Sequence, residues 1–302
     1  MSIESHQDLV EARSRLTGIF AICAAALGWA AIEWMGAKIH GNSPYQVVWT
    51  RYGVHLLLLF MIVAPRRPGR IVKTSRPFLQ VFRSLLMLSM PVCFVMAAHR
   101  GMDLRDIWAI TWMAVPIMMS FAILLLDEKI APVHWLLALV GLAGVWLILK
   151  PPLPHSLFSI CLAIGAAVSL GLYAVLTRVL RTERTGTNLF HTAIWVFIPL
   201  SFYMPAVWRT PSPQSAVVMV AIGAVGLGLL FLLDHAFSHA PASLVAPFLF
   251  TECLWVLAFS APHFSGVGRL GYAGAALIAG SSLWILLNEL RNRKTNDARV
   301  GG

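Results

Sequence analysis

The chain of 302 residues is 58% hydrophobic and only 12% charged, with a mean hydropathy of +0.76. A soluble domain of that length needs far more polar surface, so the composition excludes a water-soluble globular protein and places the chain among membrane proteins. The net charge of +10, from 23 basic and 13 acidic residues, is not spread as a nucleic-acid-binding surface; it gathers between apolar segments, and no nucleic-acid partner is expected.

The polar start MSIESHQDLVEARSR carries Glu4, Asp8 and Glu11 and runs into a full-length apolar segment. A cleaved signal would have a basic start and a shorter apolar core, so the first span is expected to be retained. Apolar segments then follow near 16–37, 45–64, 78–98, 107–126, 132–150, 156–177, 189–208, 214–237, 241–261 and 268–289. Each is about 20 residues, which at a rise of roughly 1.5 Å per residue crosses a hydrocarbon core of about 30 Å. None alternates apolar with polar as an outer-membrane strand would, so the expected fold is all-α, with ten transmembrane helices.

Alternating ten spans from a cytoplasmic N-terminus puts 15 basic residues on the cytoplasmic side, among them the run PRRPGRIVKTSRP at 65–77, and 6 on the other. That bias predicts a multi-pass inner-membrane protein with both termini cytoplasmic and a basic loop able to touch anionic lipid. The link Lys150-Pro151-Pro152-Leu153-Pro154-His155 ends the fifth span, because proline cannot continue a helix. It divides the chain into 16–150 and 156–289, with tails at 1–15 and 290–302.

The two halves end alike. Residues 141–148 read GLAGVWLI and 271–278 read GYAGAALI, identical at five of eight positions. With five spans in each half, the second copy enters the membrane from the opposite side, so two inverted five-helix repeats are expected, an arrangement recurrent in secondary transporters. Pro91, Pro116, Pro199 and Pro247 lie within spans; Pro116 and Pro247 occupy corresponding places in the halves, where interrupted helices point to a central site. Paired glycines, Gly141 with Gly144 and Gly271 with Gly274 among them, read as helix-packing stripes. Cys23, Cys93, Cys161 and Cys253 all lie in spans without Cys-x-x-Cys spacing, so no disulfide, metal or cofactor is expected of them.

These features together resemble the drug/metabolite transporter superfamily with paired EamA domains. The first half carries the resemblance best: SPYQVVWTRYGVHLLLL (43–59) is similar to that family's second helix with its arginine at Arg51. The run from Pro116 through LLLDEK (124–129) to GLAGVWLILKPP (141–152) is similar to its fourth and fifth helices, including the glutamate at Glu128. In the second half ASLVAPF (242–248) and GYAGAALIAG (271–280) fit, whereas Ser260-Ala261-Pro262-His263-Phe264 stands where a second glutamate is usual. The resemblance implies a cavity lined by helices 1–4 and 6–9, helices 5 and 10 at the periphery, and alternating access with export or exchange of small organic metabolites.

Five charges fall inside spans: Glu33, Arg51, Arg83, Asp234 and Glu252. Each costs about 2.5–3.5 kcal/mol at membrane depth, so pairing or a cavity is expected for each. Glu33 and Arg51 sit at similar depth in neighbouring spans and are expected to pair near an outer gate. Arg83 and Asp234 lie near the cytoplasmic side, where snorkelling to headgroups is the ordinary explanation. Glu252 lies near the midplane, too deep to snorkel; it must be protonated, paired with another helix or facing water, which makes it the central carboxylate and a candidate proton carrier.

Trp108 and Trp112 share one helix face, and with Trp34 and Tyr173 they are expected to wall a pocket suited to an organic cation or zwitterion. His55 and His191 read as relay or structural histidines. The function expected is secondary transport of a small polar metabolite, such as an amino acid or a related zwitterion or cation, proton-coupled or by exchange, with export favoured. A vitamin or nucleoside-like uptake permease is the alternative. An intramembrane enzyme on a lipid-linked substrate, using His99, Asp103 and Asp106, is the alternative from another class. Expected partners are the small-molecule substrate and membrane lipid, and the small-residue stripes are also compatible with a homodimer.

Overall fold

The computed structural model describes residues 3–63, 69–151, 155–260 and 268–301. The basic residues 64–68, the linker residues 152–154 and the segment 261–267, which contains most of the expected second-glutamate region, lie outside them. The described residues form helices and connections with no strand.

In chain order the helices are α1 (Ile3–Gly36), α2 (Pro44–Val63), α3 (Gly69–Val72), α4 (Pro77–His99), α5 (Leu104–Thr111), α6 (Ala114–Leu126) and α7 (Pro132–Leu149). The second half continues with α8 (Leu157–Val179), α9 (Thr185–Val207), α10 (Pro213–His239), α11 (Ala242–Val245), a 3₁₀ segment (Ala246–Phe250), α12 (Thr251–Ser260) and α13 (Arg269–Gly301). Setting aside the four-residue α3 and counting α5 with α6 and α11 through α12 as single spans gives ten. Nine of these spans are, among the described residues, long and apolar enough to cross a membrane; α2, which carries Gln46, Arg51 and His55, is outside that set.

α1 starts at Ile3 and α13 runs on to Gly301, so both outer spans extend as helix beyond a bilayer's thickness into the 1–15 and 290–302 segments. The helix starts are chemically ordinary. Asp103 and Ser212 accept bonds from the amides of Arg105 and Ser215, and Pro77, Pro132 and Pro213 open α4, α7 and α10, where no N–H is needed.

Two spans are interrupted, the fourth and the ninth. Pro116 has no N–H to give to the carbonyl of Trp112, which accepts from Val115 instead at 3.2 Å, and the helix breaks at Trp112-Met113. Pro247 likewise sits in the 3₁₀ segment between α11 and α12. Both breaks bury their residues: Trp112, Ala114 and Val115 in one, and all of Ala242–Phe250 in the other.

The repeated Gly-x-Ala-Gly stretches meet. A Cβ at Gly144 of α7 would lie 2.6 Å from the Gly274 carbonyl oxygen of α13, and one at Gly274 would collide with the Gly144 carbonyl. Backbone touches backbone there, so neither position admits a side chain.

Candidate substrate site within the spans

Glu33 and Arg51 do not pair. No ion pair among the described residues involves either, and the buried Nε of Arg51 has no hydrogen-bond partner. Glu33 instead faces Glu252: the two carboxyls, from α1 and α12, are hydrogen-bonding neighbours. Glu252 is only 2% exposed, while Glu33 keeps part of its surface open. One oxygen of each, Oε1, has no partner among the described residues; the other oxygen of Glu252 accepts from the Cys253 thiol at 3.8 Å.

An aromatic cluster stands beside this pair. Trp29, one turn before Glu33 on α1, lies 6.4 Å from Trp112 at the break of the fourth span. Trp112 in turn lies 6.4 Å from Trp108 and 6.0 Å from Phe250, two residues before Glu252. Both interrupted spans and α1 therefore converge on one set of rings. Of the sequence-predicted wall residues, Trp108 and Trp112 belong to this set. Trp29 and Phe250 were missed; the i,i+4 spacing of Trp29 and Glu33 was the signal available.

Trp34 and Tyr173 lie elsewhere. Trp34 is 46% exposed beneath the Lys38 ammonium, 3.2 Å from the ring centroid, as an interfacial anchor would be. Tyr173 is buried under the Arg83 guanidinium, 5.2 Å away. Arg51 lies on α2 against a notch in α10, where a Cβ on Gly226 would come within 2.5 Å of its Nε and 3.0 Å of His55 Nε2. His191 is tied to the Val72 carbonyl at 3.0 Å, a structural bond across to α3.

Arg83 and Asp234 do not snorkel. Both are buried, Arg83 to 1% exposure, and Asn188 of α9 joins them. Arg83 donates to Thr177 Oγ1 (3.1 Å), Gln80 Oε1 (3.1 Å), Thr192 Oγ1 (2.9 Å) and the Asn188 carbonyl (2.8 Å). The Asn188 amide accepts from Gln80 at 2.6 Å and donates to Asp234 at 2.7 Å. The network crosses α4, α8, α9 and α10.

The turn between α10 and α11 is held from several sides. Arg178 donates to the Phe237 and Ser238 carbonyls (2.7 and 3.1 Å), and Ser14 of α1 to the His239 carbonyl (2.7 Å). Glu128, between α6 and α7, accepts from the amides of Ala242 (2.9 Å) and Ser243 (3.0 Å) and from the Ser243 hydroxyl (2.5 Å). Outside the spans, Glu183 accepts from the Ser75 hydroxyl and amide and from Thr74 Oγ1, which holds its carboxyl below the ordinary glutamate range. His99, Asp103 and Asp106 do not converge: Asp103 caps α5 and pairs with Arg105, while Asp106 is bonded to His155.

Among the described residues nine passes are long and apolar enough to cross a membrane, and the fourth and ninth spans are broken beside a ring cluster and the buried Glu252, which describes a multi-pass membrane protein. Residues 16–150 match the EamA-like transporter family. An S-adenosylmethionine uptake transporter of Rickettsia prowazekii (strain Madrid E) is 26% identical over 271 residues, spanning 86% of this chain and 87% of that protein. A riboflavin transporter of Rhizobium johnstonii is 24% identical over 274 residues, 87% of each. A protein of known crystal structure, 18% identical, shares the fold with a TM-score of 0.75 over 91% of this chain and 98% of its own.

Proposed function

We propose that the protein is a secondary transporter of a small polar metabolite with an amino-acid-like zwitterionic or cationic head and an aromatic ring. Glu252 carries the reading: a carboxyl at mid-depth, 2% exposed, in an interrupted span and beside Trp112 and Phe250. A ring system stacks on such a cluster and a positive centre is drawn to the acid and the ring faces, worth about 0.5–2 kcal/mol per ring contact. The relatives named for S-adenosylmethionine and riboflavin, both ring-bearing, support the aromatic part. S-adenosylmethionine, with a cationic sulfonium and an amino-acid head, matches both parts. The two halves act as inverted repeats in an inner membrane with both termini cytoplasmic, and alternating access proceeds by rocking one against the other. Direction follows the gradients of an exchanger, so the export favoured by the sequence and the uptake named for the Rickettsia relative are two operating modes of one cycle.

Thermal unfolding of the purified protein with S-adenosylmethionine, riboflavin and free amino acids tests the substrate class. A ligand at about 100 times its Kd stabilises the folded state by roughly 2.7 kcal/mol, which raises the midpoint by several degrees. S-adenosylmethionine is expected to give the largest rise. Stabilisation by riboflavin alone would instead favour a neutral-vitamin permease. Conversion of a lipid-linked compound without solute flux would favour the enzyme reading.

A further inference from the structure

We propose that a small cavity at the end of the spans nearest the two termini is a lipid site that holds a phosphoethanolamine headgroup, with Arg15 taking the phosphate and Glu289 the primary ammonium. The cavity shares no residue with the ring cluster or with Glu252, and its occupant does not depend on which solute is carried.

The cavity measures about 200 Å³ and is framed by both halves: α1 brings Arg15, the link between α6 and α7 brings Glu128 and Lys129, α7 brings His134, α11 brings Ser243 and α13 brings Glu289. Its charges are unevenly satisfied. Glu128 is occupied by α11, because its two oxygens accept from the Ala242 amide and from the amide and hydroxyl of Ser243. Glu289 is 7% exposed and, among the described residues, has neither a hydrogen bond nor an ion pair. Arg15 turns one terminal nitrogen to Glu11 at 2.6 Å, while its buried Nε has no partner. An unmet donor and an unmet acid thus line one small cavity without bonding to each other. Each is costly if left alone, and an occupant that carries both an anion and an N–H-bearing cation satisfies both.

Size narrows the choice of zwitterion. Drug-sized ligands occupy pockets of about 300–1,000 Å³. This cavity is smaller, so it suits a headgroup of a few heavy atoms and not an adenosyl or flavin ring system. Position points to the source. Leu136, two residues beyond His134, and Leu287, two residues before Glu289, are both exposed, so acyl chains find an apolar surface along α7 and α13 close to the cavity. Lys129 and His134 add donors beside Arg15, and basic groups at a membrane surface draw phosphate headgroups. The acid then selects among them. A purely anionic headgroup leaves Glu289 repelled and without a partner, and a choline nitrogen has no N–H to give it. Ethanolamine supplies both the charge and the donors.

The test is native mass spectrometry of the full chain in detergent, with added phosphatidylethanolamine, phosphatidylcholine or phosphatidylglycerol of identical acyl chains, and with free phosphoethanolamine as a competitor. The expected result is one phosphatidylethanolamine held about 10-fold more tightly than either other lipid and not displaced by the free headgroup at equal concentration. Glu289→Gln, which is nearly isosteric, brings the ethanolamine and choline lipids to within about 2-fold of each other. Arg15→Gln weakens all three lipids together. Because the readout in Glu289→Gln is a ratio between lipids, it reports the headgroup contact even where the variant is less stable. Equal affinity of the wild type for the ethanolamine and choline lipids, a preference for phosphatidylglycerol, or an ethanolamine preference that survives in Glu289→Gln would overturn the proposal. Displacement by free phosphoethanolamine at equal concentration would assign the cavity to a soluble zwitterion and overturn its lipid source.

Discussion

At the scale of residues, the charges inside the spans are arranged by partner and not by depth alone. Glu252 could be placed near the midplane by counting along its span, but its partner could not, because only the tertiary arrangement brings α1 onto α12. The same counting placed Glu33 beside Arg51, and the structure separates them; a charge inside a span constrains that it must be satisfied, not by whom. Arg51 is left with an unpartnered Nε on a partly exposed side chain, fitted into the Gly226 notch. Gly226→Val is expected to push the guanidinium from that seat and lower substrate affinity about 10-fold or more if Arg51 meets a substrate carboxylate; binding titrations on the purified variant check it. Glu183 supplies a pH dependence outside the spans. Its carboxyl is held below the ordinary value of 4.5 by the Ser75 and Thr74 bonds, so the tie between the two loops is present above that pH and is lost as pH falls below it. The protection factor of the Ser75 amide, measured against its intrinsic exchange rate at each pH, should therefore fall on acidification, and Glu183→Gln should remove that dependence.

At the scale of elements, the interruptions were legible and the clamps were not. Pro116 and Pro247 announce their breaks because proline lacks the N–H that the helix needs. Asn188 was passed over because the apolar run begins at residue 189, whereas the helix begins at Thr185 and so includes it. Arg83 is satisfied by Asn188, Thr192, Thr177 and Gln80 in place of lipid headgroups. Asn188→Ala leaves the Asp234 carboxylate and the Gln80 amide without their bonds and is expected to cost roughly 2 kcal/mol, read as a lowered unfolding midpoint. Glu128 was flagged through the family resemblance, and its role here is visible: it caps α11 of the other half through two amides and a hydroxyl. Glu128→Ala is expected to destabilise by about 1–2 kcal/mol, as the loss of a helix cap does, and to expose the α10–α11 turn to proteolysis.

At the scale of the whole molecule, the sequence echo at 141 and 271 turns out to be a contact. Gly144 and Gly274 press backbone to backbone between α7 and α13, so the like-ended halves touch there. Gly144→Val is expected to force the helices apart and cost about 1–3 kcal/mol, whereas Gly280→Ala on the same α13, with nothing within 4 Å of its would-be Cβ, should be tolerated. Those helices hold the frame, and the ring cluster with Glu252 is the place proposed for cargo recognition. The most direct test of that account is counterflow in proteoliposomes loaded with unlabelled S-adenosylmethionine, or with whichever ligand stabilises the protein most, and presented with labelled compound outside. Transient accumulation of label above its equilibrium level in the wild type, abolished in Glu252→Gln folded to the wild-type midpoint, is the predicted result. Accumulation in Glu252→Gln equal to that of the wild type would contradict it.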